Sequence, residues 1–257
     1  MSTTQKTIKS YNENADRWRK QQEEGLIYHK YIEKPAMYSM LPNLKGSKIL
    51  SIGVGTGEEV SELISRGAKV TAIDLSKSML AIAKRENSEA EFHLMDMTKL
   101  KFDAESFDFV YSSLAIHYVE DWSVVYKEVK RVLKKGGEFL FSTTHPISES
   151  YSHESDNKFK RSLIGSIKEK KTGRRIIYGD YFKEGLQEAD WGGDDFVVQF
   201  YHKTFESMTN GIIKSGLELI QIKEPKPRKS MKEVDLEKYN RYSRHPVFII
   251  FKCRKVK

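Results

Sequence analysis

The sequence predicts an α/β fold built on a parallel sheet with helices on both faces. Two observations carry that expectation. The first is Ile49-Leu50-Ser51-Ile52-Gly53-Val54-Gly55-Thr56-Gly57-Glu58, a short apolar strand running into three alternating glycines and then a helix that opens on acids. Glycine is needed where a chain turns sharply from strand to helix with positive φ, and where a ligand comes close to the backbone. The second is the alternation of strand-like and helix-like stretches from 45 to 144, the pattern of a sheet whose parallel strands are joined by helical crossovers.

The elements follow in order. Residues 1–44 read as one or two helices ahead of the sheet, a helical cap. Tyr11, Ala15 and Trp18 share one helical face, and a second apolar pattern runs through Tyr28, Tyr31, Ile32, Met37 and Leu41 with Pro35 as a bend. Residues 45–144 form the half that binds a cofactor. Strands are expected at 49–52, 69–73, 91–95, 107–113 and 139–145, with helices at 57–66, 76–86 and 122–133. Beyond Thr144 the pattern breaks. Residues 145–203 alternate polar and aromatic positions, punctuated by Gly165, Gly173, Gly179, Gly185 and Gly192-Gly193. A structureless loop of that length is unusual, so this inserted segment is expected to contain strands and to cover something. Residues 204–257 then give a helix at 204–215, a stop at Gly216, and strands at 217–222 and 246–254. The charged linker at 223–244 is expected to be exposed. All four parts read as one domain.

The chemistry starts from Asp74, which ends the second strand about twenty residues after the glycines, where a carboxylate can accept both hydroxyls of a ribose. A dinucleotide loop wants G-x-G-x-x-G around its pyrophosphate, and here the third position is Glu58. A carboxylate suits a helix N-terminus but repels a phosphate. The loop therefore favours a nucleoside cofactor without phosphate, and a nicotinamide oxidoreductase is disfavoured.

Over roughly residues 45 to 145 these motifs resemble the class I S-adenosylmethionine-dependent methyltransferases. The nearest branch is the small-molecule one similar to ubiquinone/menaquinone-biosynthesis methyltransferases, the methyltransferase type 11 domain. The resemblance implies a Rossmann-like seven-stranded sheet of order 3-2-1-4-5-7-6 with strand 7 antiparallel, and S-adenosyl-L-methionine as cofactor. It implies that Gly53, Val54, Gly55, Thr56 and Gly57 cradle the methionine part. Asp74 and Leu75 would hold the ribose, with Met79 on the next helix, and Asp96-Met97 the adenine edge. The turn at Ser112 would meet the methionine amino group, and His117 would line the pocket. Tyr11, in a pattern ending at Ala15, would shield the sulfonium face, where an aromatic ring gains cation–π attraction. Relatives carry an acid where this chain has Ser51, which can hydrogen-bond but supplies no charge.

Methyl transfer from a sulfonium needs positioning and exclusion of water more than protein chemistry, and no metal-ligand cluster is expected. An oxygen, nitrogen or carbon acceptor still calls for a base. His145, ending the fifth strand ahead of Pro146, is the leading candidate because ligands sit at that rim; a histidine capping a strand end is the alternative. His202 is weaker, and His93 lies within a strand. The aromatic density of the cover suggests a partly apolar or aromatic acceptor. Tyr151, Tyr181 and Trp191, with His202, are the expected substrate contacts.

Composition narrows the class. At 257 residues the chain is long enough for a full core, and 39% hydrophobic with 31% charged residues is ordinary for a soluble protein. One cysteine, Cys253, excludes an internal disulfide and fits a reducing cytoplasm. The sequence offers no membrane-length apolar run and no secretory start, so a cytoplasmic address is expected. The net charge of +8 collects in 158–175 and after Lys223. Acids interrupt both stretches, so they read as solvated faces rather than a nucleic-acid interface. The expected activity is methyl transfer to a small metabolite. A tRNA-modifying methyltransferase and a non-catalytic S-adenosylmethionine-binding regulator remain the rivals.

Overall fold

A computed structural model describes residues 1–148, 150–151, 161–162, 165–170, 172–190 and 196–256. Seven strands form the central sheet: β1 (Lys48–Ile52), β2 (Lys69–Asp74), β3 (Glu91–Leu94), β4 (Phe107–Ser112), β5 (Leu133–Thr144), β6 (Leu217–Lys223) and β7 (Phe248–Lys255). Their order is β6-β7-β5-β4-β1-β2-β3. The first five run parallel, and β7 is antiparallel to both β5 and β6. This is the Rossmann-like order expected above.

Alternation along β1 explains the two layers. Leu50 and Ile52 face a core completed by Val125, Tyr126 and Val129 of α6 (Trp122–Val132) and by Met208 and Ile212 of α7 (Phe205–Ser215). Ile49 faces the other core, with Ala36 and Met37 of α3 (Lys34–Ser39), Val60 and Leu63 of α4 (Glu58–Ser65), and Leu80 of α5 (Lys77–Glu86). Period two on the strand and period 3.6 on the helices place these sets face to face. Ser76 caps α5, its Oγ accepting from Met79 N at 3.2 Å. In the first core Phe141 stacks between Phe139 and Phe251, with ring centroids 4.7 and 5.1 Å away.

Three expectations need correction. β5 leaves α6 at once and pairs from Leu133, opposite Phe107, where a helix and then a turn were expected before 139. Residues 134–137 bulge out of register before Glu138 pairs with Phe109, and this polar bulge interrupts the apolar pattern that marks the strand. The linker 223–244 is not simply exposed. It contains α8 (Met231–Val234) and α9 (Leu236–Tyr242), and Met231 is fully buried with Ile32 and Phe248. Its charge density masked the apolar residues that dock it. At the start of the chain the helix breaks at Asn14 into α1 (Thr3–Glu13) and α2 (Ala15–Glu23), so Tyr11 lies on a different helix from Ala15 and Trp18. A π-helical turn, His29–Glu33, precedes α3, and Pro35 falls in the first turn of α3, where its missing N–H is not needed.

The segment after β5 does contain strands. Gly185–Asp190 pairs antiparallel with Val197–His202, and Gly165–Lys168 with Arg175–Tyr178. Phe196, Val198 and Phe200 are buried against Tyr11, Trp18 and Tyr118. α1 is tied to this layer by Thr7 Oγ1, which donates to Gln199 O at 3.1 Å.

Phe141 tests the core directly. Its side chain is fully buried. Phe141→Ala is expected to lower the unfolding free energy by about 3–5 kcal/mol, read from denaturant midpoints.

Candidate active site

The glycine turn is shaped by two close approaches. Gly53 has φ +70°, and a Cβ there would come 2.3 Å from Ala115 Cβ, so only glycine lets the turn after β1 meet the turn after β4. Gly57, at φ +85°, would place a Cβ 2.8 Å from Ala83 Cβ, so its role is to let α4 and α5 close together. The turn is pinned to β2 by Gly53 N and Val54 N, both donating to Ile73 O at 2.8 and 3.2 Å. Gly55 N donates to Asp74 Oδ2 at 2.9 Å, and Ser76 N to Asp74 Oδ1 at 2.8 Å. Burial pushes the Asp74 carboxyl up, opposed by the backbone N–H groups of Ser76, Gly55 and Leu75.

These turns open onto a cavity of about 620 Å³ along the carboxyl edge of the sheet. That size lies within the ~300–1,000 Å³ typical of small-molecule sites. It extends from Met95, Asp96, Met97 and Thr98 after β3 to Thr144 at the end of β5 and Val247-Phe248 at the start of β7. Of the residues predicted from sequence, Tyr11, Gly53, Val54, Gly55, Thr56, Asp74, Leu75, Met79, Asp96, Met97 and His117 line it. Asp96 Oδ1 also accepts from both Thr98 N and Thr98 Oγ1 at 2.8 Å, which fixes the turn after β3. Ser51 and Ser112 are buried in the sheet behind the wall.

Other predicted residues are not on the wall. His145 is buried, its Nε2 2.8 Å from Glu224 Oε1 and its Nδ1 accepting from Ile147 N at 3.2 Å. With both ring nitrogens engaged away from the cavity, it caps the end of β5. His202 Nε2 donates to Tyr181 O at 2.9 Å within the cover, and Tyr181 Oη accepts from Phe205 N at 2.8 Å, which ties the cover to α7. Tyr151 pairs through its backbone with Arg161. Its side chain, all of Trp191 and much of the basic run 158–175 lie outside the described residues.

Sequence reasoning missed several wall residues. The N-terminal cap contributes Trp18, Gln22, Tyr28 and His29, and the presumed linker contributes Arg241 and Tyr242. Tyr11 Oη lies 2.5 Å from Tyr118 Oη, and Asn12 Oδ1 accepts from Ser76 Oγ at 2.8 Å and Ser78 N at 3.0 Å. α1 is thereby fastened across the mouth. The sequence signal was the aromatic density of 11–31; its target could not be read locally. Burial pushes His117 down to about 3, and burial with the nearby Lys34 charge does the same for His29. Among the described residues no group of three or more His, Cys, Asp or Glu could hold a metal ion, and no helix is long and apolar enough to cross a membrane.

Comparison with known proteins gives the cavity its family. Residues 50–141 match a family described as "Methyltransferase domain". A solved S-adenosylmethionine-dependent methyltransferase from Mesorhizobium loti is 31% identical, with a TM-score of 0.71 over 86% of this chain and 97% of that one. The chain belongs to the S-adenosylmethionine-dependent methyltransferases. An uncharacterised Haemophilus influenzae protein is 30% identical over 88% of this chain and 87% of its own length. The demethylmenaquinone methyltransferase of Lactococcus lactis is 30% identical, over 58% of each chain. This methyltransferase takes S-adenosylmethionine as its cofactor, and its residues fit that molecule. A Cβ at Gly55 would meet only Trp18 Nε1, at 3.9 Å, leaving the backbone open to a close ligand.

His117 makes a pH signature. Folded, it stays neutral down to about 3, whereas unfolded it takes a proton near 6.5. Its contribution is complete above pH 6.5 and is lost as pH falls below it, by about 1.4 kcal/mol per unit. Wild type should therefore lose stability more steeply than His117→Asn between pH 6.5 and 4, measured by denaturant unfolding at each pH.

Proposed function

We propose that this methyltransferase transfers a methyl group from S-adenosylmethionine to a small, partly apolar or aromatic metabolite. The observation that carries the reading is the continuity of the cavity, from the acids at β2 and β3 to an aromatic end at β5 and β7. Asp74 would accept the ribose hydroxyls and Asp96-Met97 would flank the adenine. Tyr11, hydrogen-bonded to Tyr118 and edge-on to Trp18 at 5.9 Å between centroids, would close over the reacting centre and exclude water.

Bound, the cofactor supplies a methyl carbon that the acceptor's lone pair attacks in line as the C–S bond breaks and sulfur keeps the bonding pair. The protein's part is to hold the two in register, worth about 7–11 kcal/mol of barrier when geometry is near attack. Trp18, Tyr28, Tyr242 and Phe248 offer the acceptor flat apolar surface, and Gln22 and Arg241 offer polar anchors. The demethylmenaquinone enzyme among the relatives supports an acceptor of this kind. His29 replaces His145 as the candidate base. It lies on the wall, between Trp18 and Phe248 with ring centroids 6.1 and 6.2 Å away. Burial that keeps it neutral also makes it a weak base, suited to an acceptor whose proton turns strongly acidic as the methyl arrives.

Two variants separate the roles. Asp74→Ala should weaken S-adenosylhomocysteine binding at least about tenfold by calorimetry, the loss of hydrogen bonds to a charged group; unchanged affinity would place the ribose elsewhere. His29→Gln should leave that affinity within about twofold and slow turnover by about 10²-fold or more. Turnover is read by tritiated-methyl transfer to a panel of phenols, quinols and heteroaromatic amines. Methylation of tRNA alone would overturn the small-metabolite reading.

A further inference from the structure

Glu33 is a fully buried carboxylate on the π-helical turn, 0% exposed. Its Oε1 accepts from Ser142 Oγ at 2.6 Å and from Ser113 Oγ at 3.0 Å. Its Oε2 has no hydrogen-bond partner among the described residues. A buried carboxylate with a free oxygen is expensive unless a cation comes to it. The cation beside it in sequence, Lys34, is already engaged by Glu58 and by Glu59 at 3.9 Å, both on α4.

Glu33 is not itself on the cavity wall, but its donor Ser113 is, and so is Leu114. Leu114 is left-handed at φ 49°, a conformation unfavourable for leucine that must be held by its neighbours. Ser142 Oγ holds it, accepting from Leu114 N at 3.0 Å while donating to Glu33. Strand register places Ser51 opposite Tyr111, on the strand adjoining Ser113 and one pleat back from it. The acid absent from β1 at Ser51 is thus matched by one that a helical turn brings over the neighbouring strand ends.

We propose that Glu33 is the positioning residue that balances the α-ammonium group of the bound cofactor, with the Ser113 hydroxyl between them. Ser113 Oγ donates to Glu33 and keeps lone pairs for an ammonium N–H on the cavity side. The proposal rests on the cofactor and not on the acceptor. Burial pushes the Glu33 carboxyl up to about 7, against the pull of Ser142, Ser113 and Lys34, while Glu59 pushes the same way as burial. Tyr111 from β4 and Tyr38 from α3 also sense its charge, as do the α4 acids. Its titration therefore falls near neutral pH, and a cation in the cavity draws it to the charged form.

The test compares S-adenosylhomocysteine with its analogue lacking the α-amino group, by calorimetry on wild type, Glu33→Gln and Glu33→Asp. Glu33→Gln should weaken S-adenosylhomocysteine about tenfold or more while changing the desamino analogue less than about twofold, because the lost partner is a charge-assisted one. Glu33→Asp should restore part of the difference. Equal weakening of both ligands, or of neither, would overturn the proposal and leave Glu33 a prop for the turn. If the Gln variant does not fold, wild type suffices. Its preference for the amino-bearing ligand should shrink as pH falls from 8 to 5.5 and Glu33 becomes neutral; a constant preference would overturn the proposal. Failure of both ligands to bind wild type would instead contradict the cofactor assignment.

Discussion

The site depends on the contact between the Asp74 carboxylate and the Gly55 N–H, 2.9 Å long. A turn of three glycines has little conformational preference of its own and loses much backbone entropy on folding. Asp74 fixes it from the next strand, and the two bonds to Ile73 O hold its near end. The same carboxylate accepts from Ser76 N, and Ser76 caps α5. One side chain thus ties together the first turn, the second strand and the helix after it. The cavity floor is set by these bonds, not by loop flexibility.

The roof has a separate origin. α1 is held at three points, by Thr7 to the cover, by Asn12 to the start of α5 and by Tyr11 to Tyr118. Tyr11 also packs edge-on against Phe196, with ring centroids 5.5 Å apart, but α1 itself has a single buried residue, Thr7. A helix with so little buried surface can open at lower free energy than the packed sheet beneath it. The far end of the cavity is likewise made of segments distant in sequence, with Tyr28 edge-on to Tyr242 of α9, both packed in one cluster with Phe248 of β7. On the proposed reading, the cofactor is held by the ends of the parallel strands, and the acceptor meets walls supplied by residues 18–29 and 241–248.

The sheet was legible because its signals are local and repeated. Ile49 to Gly57, Asp74 and the strand–helix alternation each reflect backbone geometry, and the strand order followed once the resemblance was drawn. Eleven of the predicted cofactor-side residues reach the cavity, and all but Tyr11 and Met79 do so from the strand ends and turns that this geometry fixes at the carboxyl edge. The acceptor side was not legible. His145 sits at the rim by sequence position, but its ring turns to Glu224, a direction that strand-end arithmetic does not give. Glu33 is the lone acid between Glu24 and Glu58 and carries no local signal of a role; only folding sets it beneath Ser113 and Ser142. Met231 and Tyr242 were hidden by the lysines and arginines around them. Such side-chain directions and long-range pairings arise from tertiary packing, which no window of sequence contains.

The most direct test is calorimetric titration of the purified protein with S-adenosylmethionine and, in parallel, with NADH. Saturable binding of S-adenosylmethionine at one per chain, with no heat from NADH, is the predicted result. Binding of NADH, or of neither molecule, would contradict the account of a cavity built for a nucleoside without a phosphate.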